Sequence, residues 1–204
     1  LEDRGLVHLP IHVTEYGLQL DLQSLGNWES RWYEKGVSIL MAYHFLNLVD
    51  QGADGLWLWE TLSKWFRLVH PDSLETNVTY ELMKKLFKLR GKVARVESTG
   101  PVADVEGPVG IWYQPLPSGD IQKNVSLLRA FGVRQDSGSM ALVIFNFSDE
   151  ELLTPIDGGA ENWSTIRTHR ASKDWNSELV SESHVFARGP RSVVLPPRSI
   201  SFLE

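Results

Sequence analysis

An acidic side chain closes a short apolar strand in residues 11–17, IHVTEYG. The two-residue period of a strand places Ile11, Val13 and Glu15 on one face, and we predict that this strand covers residues 6–16. A carboxylate at the end of a buried strand is costly to desolvate unless it has a partner or a chemical role. Glu15 is therefore the first candidate for catalysis, and its alternative is a structural carboxylate that holds an arginine or a backbone amide.

Helices and strands alternate after this segment. Residues 28–50 carry apolar side chains on nearly every face, which predicts a long buried helix that ends at Gly52. Residues 53–59 form a short apolar run bounded by glycine, as in a buried strand, and residues 78–90 carry an apolar stripe opposite a row of lysines, as in a surface helix. The order strand, helix, strand, helix is typical of parallel α/β architecture.

The sequence changes its period after Gly91. Short runs with two-residue alternation follow one another, separated by turn-forming residues, and the clearest hairpin crosses residues 136–139. Such spacing predicts an antiparallel β-sandwich. The candidate strands are residues 92–98, 109–113, 125–133, 140–147, 164–170, 184–187, 191–195 and 199–203.

Segments in both halves of the chain resemble one group of enzymes. Residues 13–17, VTEYG, are similar to the strand-seven nucleophile segment of clan-A glycoside hydrolases, and residues 53–60 are similar to their strand eight. Residues 195–200, LPPRSI, resemble the segment before the last strand of the β-sandwich that follows the barrel in several of these families. The resemblance implies an α/β part and an all-β part: the final two β/α units of a TIM-type barrel in residues 1–91, and an antiparallel β-sandwich domain in residues 92–204.

The resemblance also implies a retaining glycoside hydrolase that acts on an oligo- or polysaccharide, with Glu15 as the nucleophile. Trp59 and Trp57 would contact the sugar, unless they only fill the barrel, and Tyr16 and Glu60 would bind substrate beside them. Retention needs a second carboxyl group, the acid/base, about 5–5.5 Å from the nucleophile. In clan-A enzymes this group follows barrel strand four, which is not in this sequence. We therefore expect the chain alone to be inactive and to need an N-terminal barrel segment, supplied upstream or by another chain.

Composition excludes several other classes of protein. The chain has no cysteine, which rules out disulfides, thiolate zinc sites and cysteine nucleophiles, and its net charge of −6 argues against a nucleic-acid partner. No run approaches the roughly 18 apolar residues of a membrane span. His8 and His12 stand four residues apart, but this spacing on a strand does not make a metal pair. We expect no metal and no cofactor.

Two further expectations concern the class and the location of the protein. The alternative to an enzyme is a non-catalytic carbohydrate-binding or assembly module built on the β-sandwich. We expect a secreted or periplasmic location. Four Asn-x-Ser/Thr sequons begin at Asn77, Asn124, Asn146 and Asn162, and they are weak evidence of glycosylation because such triplets also arise by chance.

Overall fold

The computed structural model describes residues 10–16, 31–58, 78–89, 91–106, 121–156, 166–170 and 191–203. These parts of the chain form a mixed α/β structure with few helices and mostly antiparallel strands. Helix α1, Arg31–Asp50, lies in sequence between strand β1, His12–Tyr16, and strand β2, Gly55–Leu58, and helix α2, Val78–Lys88, follows. The predicted order of strand, helix, strand and helix is confirmed. The predicted element ends at residues 6–9, 28–30, 59 and 90 lie outside the described residues.

Antiparallel strands make up the described chain after α2. A five-stranded sheet has the order β3-β6-β7-β11-β9, and two separate pairs are β4 with β5 and β8 with β10. The strands are β3 Gly91–Val96, β4 Val102–Glu106, β5 Ile121–Ser126, β6 Leu128–Gln135, β7 Met140–Asn146, β8 Leu152–Ile156, β9 Ile166–Arg170, β10 Arg191–Leu195 and β11 Ser199–Leu203. The predicted strands over residues 109–113 and 184–187 lie outside the described residues.

Three details of the strand prediction were wrong. The predicted strand over residues 125–133 covers only the end of β5 and most of β6, because the chain changes partners at Leu127: the backbone amide of Leu127 donates to Pro101 O and its carbonyl accepts from Phe147 N. Strand β4 was missed. Strand β8 was also missed; it contains Pro155, which has no amide proton for a ladder and is tolerated only at an edge or bulge.

Glycines close two elements at the predicted places. The amides of Gly52 and Ala53 donate to the carbonyls of Val49 and Leu48, which is the Schellman pattern that ends a helix, and Gly52 has a φ of +94°. In the β6–β7 hairpin, Gly138 has a φ of +87° and its amide donates to Gln135 O. Both local predictions are confirmed, since each position needs the left-handed backbone that glycine adopts at low cost.

The main hydrophobic core joins the helices to one face of the five-stranded sheet. Tyr43 of α1 is its centre: its ring lies 5.6–5.7 Å from the rings of Phe131, Phe145 and Phe147, mostly edge to face. Such pairs add about 0.5–1.5 kcal/mol each beyond burial. The buried members of this core are Ile39, Met41, Ala42, Tyr43, Leu46, Leu82, Met83, Leu86, Leu89, Leu127, Phe131, Val133, Ala141, Val143, Phe145, Phe147, Ile200 and Phe202.

A smaller core covers the opposite face of the sheet. Side chains of β6, β7 and β11 meet the inner residues of the β8–β10 pair there; the buried members are Leu128, Ala130, Leu142, Ile144, Val193, Leu195 and Leu203. The alternation of a strand explains this division, because neighbouring residues of β6 such as Ala130 and Phe131 belong to opposite cores. The sheet is therefore covered on both faces, by helices on one side and by two strands on the other.

One buried side chain ties the ends of three strands together. Asn146 is the last residue of β7, and its side-chain NH₂ group donates to the backbone carbonyls of Glu150, Leu195 and Pro196 at 2.8–3.2 Å. Its side-chain oxygen accepts from the backbone amide and the hydroxyl of Ser148. These bonds satisfy a polar group that is only 1% exposed. They fix the turn after β7 to the turn between β10 and β11.

Candidate functional site

The candidate site lies where β1 and β2 run side by side. The two strands are parallel, with His12 paired to Gly55, Val13 to Leu56 and Tyr16 to Leu58. Parallel strands end at the same edge of their sheet, so the C-terminal residues of β1 and β2 come together there. Helix α1 makes the connection between the two strands, as the α/β pattern predicts.

The backbone brings three of the five predicted site residues to this edge. Glu15 and Tyr16 are the last two residues of β1, and Trp57 is the next-to-last residue of β2. The side chains of these three residues, and all of Trp59 and Glu60, lie outside the part of the chain that the structure describes. Their roles as nucleophile and as substrate-binding groups therefore stay predictions.

An irregularity in the strand pairing occurs beside Glu15. Between the pairs Val13–Leu56 and Tyr16–Leu58, two residues of β1, Thr14 and Glu15, correspond to one residue of β2, Trp57. Such an extra residue increases the local twist and re-aims the side chains around it, and irregularities of this kind are common next to active sites. The pairing register therefore changes beside Glu15, whose side chain lies outside the described residues.

Hydrogen bonds hold the opposite end of the strand pair. The backbone amide of Ile11 donates to the Asp54 carboxylate at 2.8 Å, and the amides of Asp54 and Gly55 donate back to Ile11 O at 2.8 and 3.2 Å. Asp54 thus joins the start of β1 to the turn that leads into β2. This anchor fixes the two strands at the end away from Glu15, which limits how far they can slide.

Helix α1 connects the candidate site to the sheet. Val13 of β1 packs against the main core, to which α1 contributes its buried face. At the end of the helix, Asp50 accepts a hydrogen bond from the backbone amide of Arg95 at 2.9 Å, and the Arg95 guanidinium donates to Asn47. A carboxylate at a helix C-terminus is unfavourable by itself, and the arginine from β3 offsets this.

A half-buried histidine lies on the same helix. The Nε2 atom of His44 is buried and has no hydrogen-bond partner among the described residues. Burial lowers the pKa of His44 below its ordinary value, because the charged imidazolium would lose its hydration. Burial also raises the pKa of the neighbouring Tyr43, although the charges of Arg129 and Arg95 oppose this.

We predict that His44 makes the fold sensitive to mild acid. In the unfolded chain His44 binds a proton near pH 6.5, whereas in the folded chain it does so only at lower pH. Below pH 6.5 the unfolded state therefore binds more protons than the folded state, and the free energy of unfolding decreases as the pH falls. The slope from one such group reaches at most about 1.4 kcal/mol per pH unit. Urea titrations of the wild type, His44→Gln and His44→Leu between pH 7.5 and 5 should show a smaller acid loss in both variants. Equal losses in all three proteins would contradict the prediction.

The described residues contain no group of three or more His, Asp or Glu side chains arranged to hold a metal ion. His12 lies in β1, while His8 is outside the described chain. Within the same residues, no helix is long and apolar enough to cross a membrane.

Sequence reasoning missed two polar contacts that shape the molecule. Asn146 stood out in the sequence only as the first residue of a sequon, although an Asn-x-Ser segment directly after an apolar strand is also typical of a side chain that bonds its own turn. Arg95 carried no signal, because its partners Asn47 and Asp50 are more than 40 residues away.

The chain is similar to several solved structures, but sequence comparisons found no related protein. No protein-family model matches the chain, and a comparison with curated protein sequences found no match. The fold is similar to that of a glycoside hydrolase family 30 subfamily 8 xylanase from Clostridium acetobutylicum, with a TM-score of 0.58 and 14% identity over 99% of this chain and 43% of that one.

Two further solved structures show the same likeness. A conserved exported protein from Bacteroides fragilis matches with a TM-score of 0.57 and 12% identity, over 96% of this chain and 39% of that one. A family 51 arabinofuranosidase from Xanthomonas axonopodis pv. citri matches with a TM-score of 0.57 and 11% identity, over 95% of this chain and 40% of that one. The chain thus spans about two fifths of the length of the structures it matches. The predicted resemblance to clan-A glycoside hydrolases is confirmed at the level of the fold.

Proposed function

We propose that the chain is the C-terminal part of a retaining glycoside hydrolase that acts on an oligo- or polysaccharide. The observation that carries the proposal is the parallel pairing of β1 and β2, which puts Glu15 at the shared C-terminal edge of two strands connected by a helix. Active sites of β/α barrels are built at that edge. The likeness to a xylanase and an arabinofuranosidase over nearly the whole chain supports the same function.

In this proposal, β1, α1, β2 and α2 are the last two units of a TIM-type barrel in residues 1–91. Residues 92–204 form the β-sandwich domain that follows it. The described part of the second region supports this, since its sheet packs one face against the β8–β10 pair through the smaller core. The other face packs on α1 and α2, so the sandwich would lie against the outside of the barrel.

The proposed chemistry has two steps. The Glu15 carboxylate attacks the anomeric carbon, forming a glycosyl–enzyme ester while the glycosidic bond breaks and an acid donates a proton to the leaving oxygen. In the second step, the group that acted as the acid now acts as a base and removes a proton from water. The water then cleaves the ester, and the product has the configuration of the substrate. Trp57 and Trp59 would stack on the sugar, Tyr16 would donate a hydrogen bond to Glu15, and the Glu60 carboxylate would accept hydrogen bonds from sugar hydroxyls.

The acid/base group and most of the barrel must come from elsewhere in this proposal. Two β/α units do not close an eight-stranded barrel, and the chain spans about two fifths of the matched structures. A preceding segment or another chain would supply the remaining strands and the second carboxyl group. We also propose an exported location, which the likeness to the exported protein from Bacteroides fragilis supports.

A non-catalytic carbohydrate-binding or assembly module is the other candidate. The comparisons do not favour it, because the matches include a xylanase and an arabinofuranosidase and extend over the β1–β2 region as well as the sheet.

The test compares the 204-residue chain with the same chain joined to, or mixed with, its barrel segment. Both are assayed on nitrophenyl glycosides that include xylosides and arabinofuranosides, and the product anomer is determined by NMR. We expect no turnover by the chain alone, and turnover with retained configuration once the barrel is complete, because general acid assistance alone contributes about 10²–10⁴-fold.

Three outcomes would contradict parts of the proposal. Turnover by the chain alone that depends on Glu15 would show that the second catalytic group is already present. An inverted product would exclude a nucleophilic role for Glu15. A complete protein that binds polysaccharide without cleaving any substrate would favour the non-catalytic module.

A further inference from the structure

Two Asn-x-Ser sequons lie within the described residues, at Asn124 and Asn146; the first asparagine is exposed and the second is buried. Asn146 is only 1% exposed, and its side chain donates three hydrogen bonds and accepts two. Its amide nitrogen has no room and no free proton for a further substituent. A sugar attached there would break the contacts that join the turn after β7 to the turn after β10.

Asn124 has the opposite surroundings. It is exposed, and its side-chain amide makes no hydrogen bond with any residue in the described ranges. Its φ is +54°, a left-handed conformation that asparagine tolerates better than most residues. It lies where β5 has one residue more than β4, between the pairs Ala103–Val125 and Val105–Gln122.

The backbone holds Asn124 without using its side chain. The backbone amide of Asn124 donates to the Asp104 carboxylate at 3.0 Å. The next residue, Val125, is partly buried and packs against the main core. The sequon hydroxyl of Ser126 donates one hydrogen bond, to Leu128 O at 2.9 Å. A modifying enzyme would therefore break far fewer hydrogen bonds to bind this sequon than to bind the one at Asn146.

We propose that Asn124 is an acceptor site for an N-linked glycan in the folded protein, and that Asn146 is not. The donor is an oligosaccharide on a lipid pyrophosphate, and an oligosaccharyltransferase carries out the transfer. The Nδ2 atom of Asn124 forms a bond to C1 of the first sugar and loses one proton, while the bond from C1 to the pyrophosphate oxygen breaks and the lipid pyrophosphate leaves. The glycan would project from the β4–β5 pair into solvent, as bulky surface modifications require.

The test treats the purified, folded chain with a single-subunit oligosaccharyltransferase and a synthetic lipid-linked donor, and maps the sites by peptide mass spectrometry. Synthetic peptides that span each sequon serve as unfolded references. We expect both peptides to be modified, and the folded chain to show occupancy at least about tenfold higher at Asn124, because Asn146 reacts only after local unfolding. Asn124→Gly keeps the positive φ and should abolish the signal.

Each other outcome overturns the proposal. A folded chain that stays unmodified at Asn124 while its peptide is modified would show that the β4–β5 pair protects the site. A peptide around Asn124 that is not accepted would remove the acceptor assignment itself. Modification of Asn146 in the folded chain, at a level close to that of Asn124, would show that its buried hydrogen bonds do not protect it.

Discussion

Replacement of Glu15 by glutamine in the proposed complete glycosidase is expected to lower kcat by about 10³-fold or more. Glutamine has nearly the same shape, but its amide oxygen is a poor nucleophile and carries no negative charge to balance the oxocarbenium-like transition state. The backbone position of Glu15 at the end of β1 should be unaffected. The measurement is steady-state turnover of an aryl glycoside, with circular dichroism to check that the fold is retained.

Chemical rescue separates a nucleophile from a structural carboxylate. With Glu15→Gly, azide can enter the vacated space and attack the anomeric carbon from the same side, giving a glycosyl azide of inverted configuration. A carboxylate that only holds an arginine or a backbone amide would not give this product. Activity of Glu15→Gln near the wild-type level, or loss of activity with no azide product from Glu15→Gly, would contradict the assignment.

The substitution Gly91→Ala is expected to destabilise the folded chain by at least about 3 kcal/mol. Gly91 begins β3 with a φ of +155°, and a Cβ added there would overlap the carbonyl oxygen of Arg134 and lie 2.6 Å from the carbonyl carbon. Both atoms belong to the backbone of β6, so the two strands would have to separate to relieve the contact. A fall in Tm on the order of 6–12 °C should be visible by calorimetry.

Gly138→Ala is the matched control for this experiment. Gly138 also has a positive φ, at +87°, but no atom lies within 4 Å of the position that a Cβ would take. It should cost about 1–2 kcal/mol, from backbone strain alone. If both substitutions lowered the free energy of unfolding equally, the close contact between Gly91 and the backbone of β6 would not be the reason for glycine at position 91.

Local signals predicted those elements whose pattern is contained in their own residues. The apolar run of α1, its glycine stop at Gly52 and the β6–β7 hairpin all needed only neighbours in sequence. The break at Leu127 did not, because residues 125–133 have the pattern of one continuous strand. It depends on Pro101 and Phe147, which the sequence does not place beside Leu127.

The candidate site shows the same division. That Glu15 closes a strand and that the second strand runs parallel to it follow from the alternation of strands and helices, and the structure agrees. The register between the strands does not follow, because it depends on how β2 pairs with β1, and the extra residue at Thr14–Glu15 was not predicted. The contribution of Asn146 was hidden for the same reason, since two of its acceptors are the carbonyls of Leu195 and Pro196.

The shared core of α1, α2 and the sheet limits how this chain can be recombined with relatives of the same fold. Gly91 marks the change of sequence period and looks like a natural crossover point for a chimaera. A crossover there would separate Tyr43 from the rings of Phe131, Phe145 and Phe147, and Lys85 from the Phe202 ring 4.4 Å away. Chimaeras that inherit α1, α2 and the five-stranded sheet from one parent keep these contacts between matched side chains, whichever parent provides the rest of the protein.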